Sequence, residues 1–423
     1  MDQPNPVPQP RPWRVLAVLC VSVLLVGIDN TIVNVALPTV AAELSADTSG
    51  LQWVVDGYTL VFAALLLVGG YLGDRYGRRR MLQLGLVLYG LTSLLAATAG
   101  TTAELVTARA LMGAGAALIF PATLALLLTA FPGARERATA IGVWSAITGL
   151  SVAIGPVTGG WLLEHFAWGS VFLAKLPMVV VALAAGQLVL RESRERAPSR
   201  FDALGALASV AGIGLLVWTT IEAPGHGWTS AVTVTGYAGA VLALAGFVVW
   251  ELRRPEPLLD VRLFTDARVS AGSGAIALAF FALFGFIFLI TQYFQAVLGY
   301  GPLAAGLRTL PFALVIGATA PLAIMAMRAF GTKRVVAAGL LVMALGFVTA
   351  AGSAVDSAYW GRIVVSMVLM AAGLGLVTSP ATEAVMGALR ADQAGAGSAV
   401  NDTVREVGGT LGVAVVGSVM STV

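Results

Sequence analysis

The chain has 423 residues, of which 58% are hydrophobic and only 11% are charged, and its mean hydropathy is +0.88. Soluble domains carry roughly 45–50% apolar and 25% charged residues, so this composition excludes an ordinary cytosolic enzyme, a disordered chain and a nucleic-acid binder. The single cysteine, Cys20, excludes a disulfide within the chain, and two histidines, His165 and His226, argue against a metal site. The bilayer is the expected environment.

Thirteen segments are long and apolar enough to be read as membrane spans, since a spanning helix needs about 20 mostly apolar residues. The first follows Arg11 and Arg14. Its apolar run is long and contains Asp29, so we interpret it as a retained helix and not as a cleaved signal peptide. The predicted spans are 13–37, 51–72, 81–99, 105–130, 138–163, 169–190, 203–221, 232–252, 269–297, 303–327, 334–351, 360–388 and 396–422.

The basic residues predict the orientation of these spans. With a cytoplasmic N-terminus, most lysines and arginines fall in inner loops, whereas the outer loops hold only Arg362. An excess of basic residues in short cytoplasmic loops is the positive-inside pattern. The net charge of +3 is therefore interpreted as a topology signal, and no nucleic-acid partner is expected. Tryptophans lie near the span ends, as in an interfacial belt: Trp13, Trp53, Trp161, Trp168, Trp228, Trp250 and Trp360.

Two segments of the chain resemble each other, which predicts an internal repeat. Residues 111–123 in the fourth span align with 369–382 in the twelfth after one inserted residue, and each copy ends in Pro-Ala-Thr. Parallel six-helix halves recur among transporters. A shift of eight helices places two extra helices between the halves. The predicted organisation is a tail (1–12), an N-terminal six-helix half (13–190), linkers with two extra helices (191–268) and a C-terminal half (269–423) that lacks a final helix.

A glycine-rich and basic loop follows the second span. It reads Gly70-Tyr-Leu-Gly73-Asp74-Arg75-Tyr-Gly77-Arg78-Arg79-Arg80, and a positive-inside cluster alone requires neither the aspartate nor the spaced glycines. The run resembles the G-x-L-a-D-r-x-G-r-[RK]-x-x loop of the major facilitator superfamily. The resemblance implies an all-α polytopic fold of two six-helix halves. It also implies that this loop acts as a cytoplasmic latch for alternating access.

Three further segments narrow the resemblance. Residues 28–38 resemble the first-helix D-x-T-I-V-N-V-A-L-P motif of the fourteen-helix drug:proton antiporters, and 293–311 resemble that family's loop between helices nine and ten. Gly149, Gly155, Pro156, Gly159 and Gly160 match the fifth-helix antiporter motif, which implies a role in sealing helix contacts. A packing kink without transport meaning is the alternative. The resemblance ends one helix short of the family pattern, so a fourteenth helix after residue 423 is expected.

Charged residues inside the predicted spans are functional candidates, because each costs roughly 2.5–3.5 kcal/mol at mid-bilayer. Nine are found, and three of them share one depth band in the N-terminal half: Asp29, Asp56 and Arg109. Desolvation favours a neutral carboxyl and a nearby cation favours a charged one, so the two effects together suit a proton carrier. A structural Asp–Arg pair is the alternative. Arg109 also matches a fourth-helix arginine that the family resemblance implicates in proton transfer, although Met112 replaces the common glutamine.

Asp402 and Glu406 lie four residues apart, so they share one helical face, with Arg405 beside both. The segment resembles the family's thirteenth helix, where acidic residues contribute to substrate or proton handling. An internally satisfied Asp402–Arg405 bridge is the equal alternative. The remaining intramembrane charges are interpreted without a functional role: Lys175, where the family usually has Asn, is expected to snorkel outward, Arg308 to lie near the outer surface and Glu383 near the inner end.

The sequence thus predicts a secondary active transporter of the plasma membrane and not an enzyme. It would export amphipathic cationic compounds by alternating access, driven by the proton gradient, with no cofactor or metal. Its expected partners are a small-molecule substrate, protons and the bilayer, and it is expected to be monomeric. Export of an endogenous metabolite, antibiotic or lipid on the same fold is the first alternative. A membrane sensor or enzyme without transport is the second.

Overall fold

The computed structural model describes residues 12–194, 202–255, 257–353, 357–388 and 394–421. Residues 1–11 of the predicted tail and parts of the predicted linkers lie outside these residues. The helices are α1 (Pro12–Leu44), α2 (Thr48–Tyr76), α3 (Arg78–Ala97), α4 (Thr102–Ala130), α5 (Ala134–His165), α6 (Ser170–Leu173), α7 (Leu176–Val189), α8 (Ala203–His226), α9 (Ala231–Arg253), α10 (Ala267–Gln292), α11 (Pro302–Arg308), α12 (Leu310–Phe330), α13 (Thr332–Ala351), α14 (Val364–Ala388) and α15 (Ala394–Ser421).

Helix boundaries follow local sequence signals. Side-chain oxygens of Asp47 and Thr101 accept backbone N–H groups at the starts of α2 and α4, as N-cap residues do. The junction of α2 and α3 is Gly77, with φ of 113°, a value that side chains with a β-carbon rarely adopt. Short capped loops of this kind fold the chain into antiparallel neighbouring helices.

Within the described residues, twelve helices are long and apolar enough to cross a membrane, and they correspond to the first twelve predicted spans. The predicted sixth span is broken at residues 174–175 into α6 and α7. The predicted thirteenth span is present as the 28-residue α15, which contains Asp402, Arg405 and Glu406 and is not among these twelve helices. The all-α polytopic architecture is confirmed.

The internal repeat has a packing explanation. A β-carbon on Gly115 of α4 would lie 3.0 Å from the carbonyl oxygen of Gly85 on α3. At the equivalent place in the second copy, a β-carbon on Gly373 of α14 would lie 2.5 Å from the carbonyl oxygen of Gly339 on α13. Glycine lets two backbones approach closely. The matching glycines therefore mark the same helix–helix contact in both halves.

Other contacts repeat in the same way. Helix α1 packs against α5 and α4 as α10 packs against α15 and α14, and α2 packs against α4 as α12 packs against α14. Helices α8 and α9 pack against each other, and α8 also packs against α2 and α15. This supports two bundles with an inserted helix pair, and the boundaries at 190/191 and 268/269 stay a prediction.

The bundle has two distinguishable ends. At one end, α2, α4 and α12 finish and α3, α5 and α13 begin. We call it the basic end, because it carries Arg75, Arg78, Arg135 and Lys333. The opposite end carries the short connections from α1 to α2 and from α3 to α4. These two names are used below.

Candidate functional site

Asp29 lies at the centre of a buried cluster in the N-terminal half. Its Oδ2 accepts a hydrogen bond from the guanidinium of Arg109 on α4, and its Oδ1 accepts one from the ammonium of Lys175. The relative exposures of the Arg109, Lys175 and Asp29 side chains are 1%, 2% and 0%. We call these three residues the buried cluster. The sequence prediction that Asp29 and Arg109 come together is consistent with this geometry.

Aromatic and backbone groups hold both cations in place. The Nε of Arg109 donates to the carbonyl of Val54, 2.9 Å away, and its Cζ lies 4.4 Å from the ring centroid of Tyr58. The ammonium of Lys175 lies 4.7 Å from the ring centroid of Phe172. Cations over aromatic faces are attracted by the ring quadrupole, and the attraction is larger where water is excluded.

The expectation that Lys175 snorkels to the outer surface is wrong. The break between α6 and α7 places Lys175 at the start of α7, and its side chain turns inward to Asp29. For the ammonium, pairing with the buried carboxylate is more favourable than extending along the apolar surface toward the outside, because a buried charge requires a countercharge. Snorkelling applies to cations that lack such a partner nearby.

Asp56 is buried but stands apart from the buried cluster's ion pairs, although the sequence grouped it with Asp29 and Arg109. Its Oδ1 accepts a hydrogen bond from Thr59 at 3.4 Å, and Oδ2 has no hydrogen-bond partner among the described residues. Thr59 in turn accepts a bond from Thr410 of α15 at 3.1 Å. Asp56 therefore lies beside the contact between α2 and the C-terminal half.

A cavity of about 720 Å³ lies between the two halves. Its walls come from α1, α2, α4 and α5 on one side and α10, α12, α14 and α15 on the other. Apolar and aromatic side chains such as Phe62, Phe120, Trp144 and Phe284 line most of it. Lining residues Glu383 and Met386 sit near the end of α14, so the cavity extends to the basic end. Its volume suits a drug-sized ligand.

The charged residues in this cavity belong to the C-terminal half. Asp402, Arg405 and Glu406 of α15 line it, together with Glu383, which is exposed. Arg405 lies 4.0 Å from Asp402 through Nη1 and Oδ1, and its Nη2 donates to Thr382 at 3.3 Å. Oε2 of Glu406 has no hydrogen-bond partner among the described residues. The cavity thus contains three carboxylates and one guanidinium, whereas the buried cluster lies outside its walls.

Contacts between the halves close the cavity toward the opposite end. Gln295 donates to the carbonyl of Val35 at 2.9 Å, and Gln52 donates to the carbonyl of Ala414 at 2.7 Å. On α5, a β-carbon on Gly160 would lie 2.5 Å from the carbonyl oxygen of Pro302, which directly opens α11. The two halves therefore meet there backbone to backbone.

The other residues of the predicted antiporter motif also lie on α5, and they make different contacts. Pro156 lies inside α5, and a β-carbon on Gly306 of α11 would run into its carbonyl group. A β-carbon on Gly159 would lie 2.7 Å from Ile32 of α1, and Gly155 also faces α1. Gly149 lines the cavity and has open space around it.

Residues 70–80, the predicted latch, which we call the gating loop, form a compact capped junction at the basic end. Asp74 accepts two hydrogen bonds from Arg78, at 2.9 and 2.8 Å, and Arg78 also donates to Thr129 of α4 at 3.2 Å. Arg75 donates to Tyr71 at 2.6 Å. Gly77 supplies the positive φ, and Gly70 and Gly73 lie in the last turns of α2. The Asp74 pairing is thus made within its own half of the molecule.

Sequence reasoning missed a partner of this loop. Glu192, which follows α7, accepts the backbone N–H groups of Arg79 and Arg80 at 3.0 and 3.2 Å and so satisfies the first turn of α3. Glu192 follows a long apolar span and precedes a basic run, and nothing in this position predicts that it binds the start of α3. For Lys175 the sequence did give a signal, because it is one of the charged residues inside the predicted spans, although no functional role was expected for it.

Comparison with known proteins identifies the family. The model of the Major Facilitator Superfamily matches residues 19–413. The chain belongs to this superfamily. It is 36% identical over 411 residues to the multidrug efflux pump LfrA of Mycolicibacterium smegmatis, covering 97% of this chain and 81% of the relative. It is 35% identical to the tetracenomycin C resistance and export protein of Streptomyces glaucescens, covering 97% and 76%.

Solved structures show the same fold at low sequence identity. A peptide transporter in complex with sulfate has a TM-score of 0.71 at 17% identity, covering 97% of this chain and 90% of that one. The xylose transporter XylE from E. coli, in an inward open conformation, has a TM-score of 0.64 at 15% identity, covering 97% and 94%. As a superfamily member with this architecture, the protein is a multi-pass membrane transporter and not an enzyme.

Proposed function

We propose that the protein exports amphipathic cationic compounds across the plasma membrane in exchange for protons. The cavity between the halves is the observation that carries this proposal. It has apolar and aromatic walls for the body of a drug-sized compound and three carboxylates, Glu383, Asp402 and Glu406, for its positive charge. Relatives named for multidrug efflux and for methyl viologen resistance, 36% and 35% identical, support the same substrate class.

The charged groups divide into two sets with different tasks. Asp402 and Glu406 recognise the positive charge of the substrate, because they face the cavity and are only partly neutralised by Arg405. Asp29 and Arg109 belong to proton coupling, because they are sealed from the cavity in a site that a charge change would strongly perturb. Asp56 is a second proton-coupling candidate beside the α2–α15 contact.

The pathway follows from alternating access. The cavity extends to the basic end, and we propose that this end faces the cytoplasm together with the N-terminus, because short cytoplasmic loops carry the excess of basic residues in membrane proteins. Substrate enters there, and opening of the α5–α11 contact releases it outside. The loop of Gly70, Gly73, Asp74, Arg75, Gly77 and Arg78 is the cytoplasmic latch, and the fifth-helix glycines form the outer seal. We propose that the monomer is the transporting unit, since one chain encloses the whole cavity.

Reconstitution tests the function directly. Vesicles containing the purified protein are placed under an imposed pH gradient, and uptake of the lipophilic cation tetraphenylphosphonium is followed together with vesicle pH. We expect cation flux coupled to opposite proton flux, absent from protein-free vesicles. Flux of sugars without flux of lipophilic cations would overturn the proposal.

Export of an antibiotic is the second candidate function. A relative named for tetracenomycin C resistance and export shares 35% identity over 412 residues, so tetracenomycin C belongs in the same screen. Coupled flux of tetracenomycin C but not of the lipophilic cation would favour this candidate. It would also leave the cavity carboxylates without the substrate-recognition role given above.

A further inference from the structure

The buried cluster contains an imbalance of charge. Two cationic side chains, Arg109 and Lys175, share the single carboxylate of Asp29, and all three are at most 2% exposed. An uncompensated charge away from water is unfavourable, and the effect is strongest inside the membrane. The cluster is therefore suited to losing one positive charge during the transport cycle.

We propose that Lys175 is the group that binds and releases the coupling proton, while Asp29 stays ionised. The inference rests on the proposed proton-coupled export. Protonating Asp29 would leave two cations with no countercharge, which is the least favourable arrangement of the three groups. Arginine remains charged in proteins, whereas lysine readily becomes neutral when buried. Loss of the Lys175 proton leaves a neutral Asp29–Arg109 pair.

The surroundings of Lys175 are described by the groups that face it. Asp29 approaches from α1, Arg109 from α4 across the shared carboxylate, and the ring of Tyr89 from α3, with its centroid 5.6 Å from the ammonium. Lys175 also directly precedes α7, whose N-terminal end carries partial positive charge that opposes an ammonium. Asp29 is therefore the one anionic group among these neighbours, and it is shared.

The proton step involves no other reactant. When substrate binds from the cytoplasmic side, an N–H bond of the Lys175 ammonium breaks, nitrogen keeps the electron pair, and water accepts the proton. After the substrate leaves outside, the amine takes up a proton from the outer solution. Asp29 precedes Asn30 and Thr31, which line the cavity, so α1 joins the substrate site to the buried cluster.

The chain offers a direct spectroscopic test, because it contains only two lysines, Lys175 and Lys333. Lys333 is exposed at the start of α13, so Lys333→Arg leaves Lys175 as the single lysine. The variant is labelled with lysine carrying ¹³C at Cε, whose chemical shift reports whether the amine is protonated. We expect saturating tetraphenylphosphonium, at fixed pH, to move this resonance from the ammonium to the amine position. An ammonium resonance that stays unchanged while protons are released would overturn the proposal.

A transport measurement gives an independent test. Lys175→Arg keeps the positive charge but cannot release a proton near neutral pH. We expect substrate-induced proton release to be lost and pH-gradient-driven cation transport to fall by at least about tenfold, and cation affinity should fall as well, because the arginine variant resembles the protonated state whose proton the substrate displaces. Lys333→Arg is the matched control and should behave as the parent. Normal substrate-induced proton release by Lys175→Arg would overturn the proposal.

The two failures are distinguishable. If the parent protein shows no coupled cation flux, the proposed function fails, whatever Lys175 does. If the parent is coupled and Lys175→Arg is equally coupled, the function stands and the assignment of the proton to Lys175 fails. The spectroscopic test does not depend on whether the Lys175 variants fold.

Discussion

Lys175 and Asp29 form a buried ion pair although 146 residues separate them in the chain. The pair links the break between α6 and α7 to the middle of α1. Because Asp29 also binds Arg109 of α4, three helical regions of the N-terminal half converge on one carboxylate. A change in the charge of any one of the three residues therefore changes the electrostatic energy of the other two.

Replacing Asp29 with asparagine should disable the buried cluster. Asp29→Asn leaves Arg109 and Lys175 buried without a countercharge, and breaking a buried pair in this way costs about 3–5 kcal/mol. We expect a lower thermal unfolding temperature and loss of cation-driven proton release from vesicles, with the protein still reaching the membrane. Asp402→Asn, a similar change at a partly exposed site, should destabilise much less. Normal proton release by Asp29→Asn would rule out its role in coupling.

Glu406 should select for positively charged substrates. Glu406→Gln removes a charge from the cavity while keeping the side-chain shape, and a partly buried attraction of about 1–2 kcal/mol corresponds to about a tenfold loss of affinity. Calorimetric titration with tetraphenylphosphonium measures the change, and an uncharged ligand should bind as before. Glu383→Gln serves as the comparison and should lose less affinity, because Glu383 lines the same cavity at an exposed position where salt screens its attraction. Equal effects of the two variants would contradict the proposed role of Glu406.

Gly160 should hold the halves together at the opposite end. Gly160→Ala places a methyl group 2.5 Å from the Pro302 carbonyl oxygen, so α5 and α11 must separate, at an overpacking cost of about 1–3 kcal/mol. We expect greater proton leak through substrate-free vesicles. Gly142→Ala on the same helix has open space and serves as the control. A Gly160→Ala protein as tight as Gly142→Ala would show that this contact is not the seal.

Glu192 should stabilise the gating loop through the first turn of α3. Glu192→Ala removes the acceptor for two backbone N–H groups, so a loss of about 1 kcal/mol is expected. Glu192→Gln retains one acceptor oxygen and should lie between the parent and the alanine variant. Thermal unfolding followed by tryptophan fluorescence gives the order of the three proteins. Alanine and glutamine variants of equal stability would argue that charge, not capping, is what Glu192 supplies.

The fold was predictable because the bilayer imposes simple rules. Length and apolarity located the first twelve spans, and the matched glycines of α4 and α14 revealed the repeat. The pairing of charges was only partly predictable. Asp29 and Arg109 share a depth, but depth alone does not tell which way a side chain faces, so Asp56 was grouped with them. Lys175 was misassigned because the break in its helix, which turns it inward, has no clear sequence signal.

The cavity also determines where the membrane voltage acts. On the proposed topology, solvent that enters from the basic end carries the cytoplasmic potential up to Asn30 and Asn34. Most of the remaining voltage drop then falls across the closed layer beyond Asn34, toward the opposite end of α1. One elementary charge moved through 100 mV changes in energy by about 2.3 kcal/mol. A charge that crosses this closed layer therefore gathers most of that energy, whereas a cation waiting in the cavity gathers little.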